Sequence, residues 1–88
     1  MVYGRVIQVI GPIVDIRFAD QNEVPKLLDA MKIEDKERGI DLTLEVEQII
    51  GNNTVRCVAL SSTDGIARGM KAMGLGSSIT VPVGEASL

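Results

Sequence analysis

A length of 88 residues sets the size of one small domain, which buries only about 60–65% of its unfolded surface and cannot hold a two-lobed cleft. The formal net charge is −3, with a single cysteine, no histidine, and no aromatic residue besides Tyr3 and Phe18. This balance rules out an internal disulfide, disfavours a nucleic-acid partner, which needs a basic face and stacking rings, and leaves a core of Val, Ile, Leu, Met and Ala.

In chain order, Tyr3 to Ile10 (Y-G-R-V-I-Q-V-I) is a strand with apolar residues on both faces. Gly11-Pro12 punctuates it, because Gly is conformationally free and Pro has no N–H for a sheet ladder. Ile13 to Phe18 alternates: Val14, Ile16 and Phe18 point one way, Asp15 and Arg17 the other, the pattern of a half-buried strand. Ala19 to Pro25 is a polar loop. Between Lys26 and Asp35 the signals are mixed. Leu27, Leu28 and Met31 have helical spacing, but the β character of the remaining chain favours a strand from about Asp29 to Glu34.

Asp35 to Gly39 is a charged turn. Asp41 to Ile49 alternates again, with Leu42, Leu44 and Val46 inward and Thr43, Glu45 and Glu47 outward. Gly51-Asn52-Asn53 is a hairpin turn into a strand from Thr54 to Leu60. Ser61 to Ser77 then reads as a long connection rich in Gly, Ser and Met. Within it Asp64-Gly65 readily takes positive φ, and Arg68-Gly69 marks a second turn. Ile79, Val81 and Val83 alternate as a last strand, with Pro82 on its outer face, which implies an edge or a position with no ladder bond to give. Six short strands with Gly and Pro turns predict an all-β fold, a small closed six-stranded β-barrel in one domain over 1–88, since closure removes exposed edges.

Residues that carry chemistry are scarce. No G-x-x-x-x-G-K-[ST] loop occurs, and Gly74-Leu75-Gly76 reads as a flexible turn. Without histidine and with one cysteine, a structural zinc site is excluded. Glu45 and Glu47 share a strand face and form a carboxylate pair in principle, though a solvated outer face is the plainer reading. The serines have no histidine to serve as base. Cys57, inside an apolar strand, reads as a small core hydrophobe of a protein from a reducing compartment. Asp64 is the polar residue to single out: its carboxylate is expected to accept bonds from nearby backbone N–H groups and fix the turn. No catalytic, cofactor-binding or metal residue is assigned. The structural turn residues are Gly11, Pro12, Asp64, Gly65, Arg68 and Gly69. No run approaches the ~20 apolar residues of a membrane span, and Met1 leads straight into a strand, so neither membrane insertion nor a leader peptide is expected and the cytoplasm is the expected compartment.

The string V-R-x-x-A-x-x-x-T-D-G-x-x-R-G-M, Val55 to Met70, resembles the amino-terminal domain of the catalytic beta subunit of bacterial-type F-type ATP synthases. G-R-V-I-Q-V-I-G-P-I-V-D-I-R-F (Gly4 to Phe18), D-L-T-L-E-V (Asp41 to Val46) and V-P-V-G (Val81 to Gly84) are similar to the same family in order and spacing. The D-G-x-x-R-G-M string favours the beta over the alpha subunit. The resemblance implies a six-stranded barrel in the crown of the soluble head, where three alpha and three beta barrels alternate in a ring. Its partners would be alpha-subunit barrels on both sides. The family's phosphate-binding loop, catalytic glutamate and adenine contacts would follow Leu88, so Mg-ATP or ADP belongs to the parent subunit and to no residue here. The parent complex would couple ATP synthesis or hydrolysis to proton transport, peripheral on the cytoplasmic face of the cell membrane. Cys57 and the glycine-rich Lys71-to-Ser78 stretch depart from the family pattern. A free-standing barrel that binds a peptide or ligand is the alternative, and an OB-like nucleic-acid binder a third, against the acidic charge.

Overall fold

The alternating runs pair into a single antiparallel sheet that closes on itself. The computed structural model describes residues 2–79. Its strands are β1 (Val2–Ile10), β2 (Ile13–Phe18), β3 (Asp29–Asp35), β4 (Ile40–Gly51), β5 (Thr54–Ala59) and β6 (Lys71–Ser78). Around the barrel the order is β1-β2-β5-β4-β3-β6, and β6 returns to β1. The β1–β2 and β3–β4 turns and the β5–β6 connection therefore share one end, here called upper. The 19–28 loop and the β4–β5 turn share the lower end.

Each strand sends alternate side chains inward. Val6, Val14, Ile16, Phe18, Met31, Ile33, Leu42, Leu44, Val46, Val55, Cys57 and Ala72 form one buried cluster. Breaks in the pairing register bend the sheet: between Val6 and Gln8 in β1, and between Val46 and Gln48 in β4. An extra residue on one strand increases local twist, which a closed sheet of only six strands requires. Two short turns are held by aspartates. Asp20 accepts from the Asn22 N–H at 3.0 Å, and Asp35 Oδ1 accepts from the N–H groups of Glu37 and Arg38 at 3.1 and 3.3 Å. Leu27 and Leu28 join no helix. Leu28 donates its N–H to the Val46 carbonyl at 2.7 Å and leads into β3, the strand expected from about Asp29.

The sixth strand corrects the sequence reading. It runs over Lys71–Ser78, beginning inside the Ser61-to-Ser77 stretch read as a connection and ending one residue past it, and Ile79 follows it in a turn. Val81, Pro82 and Val83 lie outside the described residues. Glycine lowers the strand propensity of K-A-M-G-L-G-S-S, but the barrel seam demands small residues. Ala72 and Gly74 are buried where β6 meets β1, and a Cβ on Gly74 would stand 2.9 Å from Val2 Cγ2. On its other side β1 is tighter still, at Gly4 against β2: a Cβ there would lie 2.7 Å from Ile16 Cγ2 and 2.9 Å from the Arg17 carbonyl oxygen.

Asp15 also departs from expectation. It lies on the outer side of β2, as its alternation with Val14 and Ile16 requires, yet it is only 3% exposed.

A methyl group on Gly4 has to push against the backbone of β2. Gly4→Ala is expected to cost about 1–3 kcal/mol by overpacking, whereas Gly11→Ala meets open space and carries only the penalty of its positive φ. Urea unfolding midpoints of the two variants check this ordering.

Candidate functional site

The sequence-assigned turn residues converge at the upper end. The β5–β6 connection crosses the barrel mouth and is tied down along its length. Thr63 Oγ1 donates to the Gly11 carbonyl at 2.8 Å, and the Ala59 N–H donates to the Pro12 carbonyl at 2.8 Å. The Gly69 N–H donates to the Val6 carbonyl at 2.7 Å, and the Val6 N–H to the Met70 carbonyl at 2.9 Å. Arg5 Nη1 adds a bond to the Gly69 carbonyl at 3.2 Å. Ile66 and Met70 pack down onto the core and seal this mouth. Gly65 turns the chain at φ +86°, over the Ile40 side chain.

Asp64 does not act as expected. Its own N–H donates to Ser62 Oγ at 3.0 Å, and among the described residues its carboxylate accepts no hydrogen bond. The serine hydroxyl two residues earlier already occupies the position from which a short side chain fixes this turn. Asp64 instead lines a shallow hollow of about 310 Å³ with Arg38, Ser61 and Ser62. Arg68 is exposed and, among the described residues, forms no ion pair.

The polar cluster that sequence reasoning missed lies on the outer face of β1, β2 and β5. Asp15 stands beside Arg56 in the β2–β5 register and beside Gln8 in the β1–β2 register. Arg56 Nε donates to Asp15 Oδ1 at 2.9 Å, Arg56 Nη2 to Oδ2 at 3.0 Å, and Gln8 Nε2 to Oδ2 at 3.2 Å. The planar guanidinium matches both carboxylate oxygens, and its stem covers the acid from water. Bonding to Asp15, then its charge, pushes the Arg56 pKa further up. The signal for this cluster is a cross-strand pairing between residues 41 positions apart, which alternation along one strand does not reveal.

Two further shifts concern Cys57 and the Glu45–Glu47 pair. Burial pushes the Cys57 thiol up to about 12, and the nearby Asp15 and Glu47 charges push the same way. Such a thiol is not a nucleophile at neutral pH. Glu45 and Glu47 do come together. A hydrogen bond from the Glu47 side, then burial and the Glu47 charge, raise the Glu45 pKa. Among the described residues both carboxylates lie on the outer face of β4 without a basic partner. Among the described residues no group of three or more His, Cys, Asp or Glu side chains converges as a metal site, and no helix is long and apolar enough to cross a membrane. At the lower end an apolar groove of about 780 Å³ is lined by Val24, Pro25, Leu27 and Ile49 beside Asn52 and Asn53.

Residues 6–76 match the model of the ATP synthase alpha/beta family, beta-barrel domain. The matched segment takes in residues of all six strands, the Asp15–Arg56 pair and the whole connection over the upper mouth.

Two outcomes are expected. Arg56→Leu leaves Asp15 buried with only Gln8 as partner and is expected to cost about 1–3 kcal/mol, while Asp15→Val combined with Arg56→Leu recovers most of that loss. Thermal melts of the single and double variants check it. The Cys57 thiol is expected to be silent to Ellman's reagent at pH 8 until the chain unfolds in urea. Its raised pKa also sets a pH window. The stability it contributes is fully present below the unfolded value near 9.0 and is lost as pH rises towards about 12.

Proposed function

Because the chain belongs to the ATP synthase alpha/beta family, we propose that it is the amino-terminal barrel of a beta subunit, a structural module of the soluble head that holds alternating alpha and beta subunits in a ring. The observation that carries this reading is a barrel with a filled interior and unfilled outer faces. The core is packed with aliphatic side chains, both mouths are plugged, and Tyr3, Ile10, Ile49, Ile50, Leu60 and Leu75 are left exposed. Scattered exposed apolar residues need no explanation, but here they flank strands that carry charge, the composition of a surface that meets a partner. The T-D-G-I-A-R-G-M connection, Thr63 to Met70, supports beta over alpha.

On this reading residues 1–88 are one domain, and its neighbours are alpha-subunit barrels on both sides. Mg-ATP or ADP is handled by other domains of the parent subunit, which couples ATP synthesis or hydrolysis to proton transport. The parent complex is of bacterial type and sits on the cytoplasmic face of the cell membrane. The barrel itself is not an enzyme. The apolar groove at the lower end favours a second reading, a free-standing module that captures a peptide or ligand between Leu27 and Ile49.

Sedimentation velocity over a concentration series, with and without an alpha-subunit barrel, separates the two. A monomer at low concentration, weak self-association as concentration rises, and a hetero-complex on adding the alpha barrel are expected. A tight homodimer indifferent to the alpha barrel would sink the ring reading, as would saturable micromolar binding of Mg-ATP in calorimetric titration.

A further inference from the structure

The sheet closes around the barrel, but not over the whole length of its longest strand. β3 pairs with β4 from Asp35 against Ile40 to Ala30 against Glu45. β4 runs on to Gly51 at the lower end, held on one side by β5 as far as Gly51 against Thr54. On its other side the chain has already turned away. Leu28 gives its N–H to the Val46 carbonyl at 2.7 Å. The turn before β3 is closed by the Asp29 N–H on the Lys26 carbonyl at 3.1 Å and by the Lys26 N–H on Asp29 Oδ2 at 3.0 Å. Among the described residues no strand pairs with this side of β4 from Glu47 to Gly51. An edge of this kind offers backbone N–H and C=O groups to another strand.

The apolar groove of the lower end runs beside this edge. Val24, Pro25 and Leu27 of the loop line it, and so does Ile49 of β4. Leu27, Leu28 and Ile49 are each about half exposed. Leu28 sits at φ +71°, a left-handed conformation unfavourable for a side chain with a Cβ. The turn that ends the β3–β4 ladder therefore carries backbone strain, and strain of this kind clusters at binding sites. The one ionisable residue lining the groove is Lys26. It is exposed and, among the described residues, its ammonium joins no ion pair.

We propose that the lower edge of β4 takes an extended segment of a partner protein as an added strand, with aliphatic side chains at alternate positions in the groove and a carboxylate beside Lys26. Three features select this occupant. The open edge is matched only by an extended backbone, since a helix has its own N–H and C=O groups already paired. The groove takes every second side chain, because a strand turns successive ones to opposite sides. Lys26 supplies the charge preference. The inference rests on the second reading above, capture of a peptide beside Leu27 and Ile49, and adds the form of the peptide and the backbone that it pairs with. The site lies at the lower end and leaves the outer faces of the barrel free.

The test uses the full chain and a blocked peptide, acetyl-Val-Thr-Val-Glu-Val-Thr-Val-amide, whose palindromic order suits either strand direction. Fluorescence anisotropy of a labelled copy reads binding, and amide exchange followed by nuclear magnetic resonance reads the edge. Saturable binding is expected, with slower exchange of amides between Glu47 and Gly51. Two N-methylated peptides probe the ladder, one methylated on its Thr and Glu amides, the other on its inner Val amides. Only one set faces β4, so one form is expected to bind roughly tenfold more weakly or less, and the other to keep its affinity. Lys26→Glu is expected to weaken binding by a similar factor, roughly tenfold, and a peptide with Lys in place of Glu to restore it. Circular dichroism verifies folding, and Lys26→Gln, with a smaller loss, replaces a variant that does not fold. Edge amides that exchange slowly before peptide is added mean that the edge is already filled from within the chain or by a second copy, and overturn the proposal. If both methylated forms bind as well as the plain peptide, strand addition falls and the capture reading stands. The same holds if the groove takes 8-anilinonaphthalene-1-sulfonate, lost in Leu27→Asp, but no peptide. Binding of neither overturns both.

Discussion

Six strands closed into a barrel enclose little volume, and on the two sides of β1 that volume shrinks to Gly4 against β2 and to Ala72 and Gly74 at the seam with β6. Most of the structure depends on this narrow place. With a larger side chain at Gly74 β6 would be pushed from β1, and with one at Gly4 β1 would be pushed from β2; either gap would present unpaired N–H and C=O groups to water and to other chains. With the seam shut, every strand has two partners. The wider part of the interior can then be filled by Val, Ile, Leu and Met from β2 to β5, with Phe18 as the one aromatic ring. The ends follow from the same geometry. A short barrel has open mouths, and loops must plug them: Ile66 and Met70 above, and Val24 with buried Pro25 below.

A filled interior moves the polar chemistry outward. Asp15 is buried, but on the outer surface of the sheet, beneath the side chain of Arg56. Its three hydrogen bonds come from β1 and β5, the strands on either side of β2, so the carboxylate stitches three strands together where the register of β1 breaks. The ladder is locally disrupted at the bulge, and the cross-strand ion pair beside it adds side-chain ties between the same strands. Cys57, one residue from Arg56 and facing inward, stays a thiol for the converse reason: burial disfavours its thiolate.

The sequence makes most of the fold legible where one strand carries its own signal. Val14, Ile16 and Phe18 against Asp15 and Arg17, and Leu42, Leu44 and Val46 against Thr43 and Glu45, place β2 and β4 by alternation alone. The short β3 is legible through context, since its leucines precede the strand instead of forming a helix. What failed depends on partners. β6 is made a strand by Gly4 and Val2 across the seam, not by its own glycines and serines, so local propensity assigned it to a connection. Alternation puts Asp15 on the outer side of β2 but does not report the long arginine folding over it. At the turn near Asp64 the N–H groups its carboxylate would take have other acceptors: that of Ile66 donates to the Thr63 carbonyl and that of Ala67 to Met70 Sδ.

Where its strands are paired on both sides, the barrel cannot add a neighbour by extending its sheet. A partner met there is met through side chains on the outer faces, by apolar contact and by charge. Such contacts are weaker per unit area than a shared ladder, and they respond to salt. They are also directional when the charges are sorted, as between β1 and β6, which contain no acidic residue, and β4, which contains no basic one. For a module read as part of a ring, this combination has a mechanical consequence. The rigid closed sheet fixes the angle between its two opposite faces, while side-chain contacts allow each junction to adjust slightly. Closure thus serves two purposes with one set of residues. Gly4 and Gly74 remove the edges that would otherwise recruit strands indiscriminately, and they hold β1 and β4 in the opposed positions from which different neighbours can be told apart.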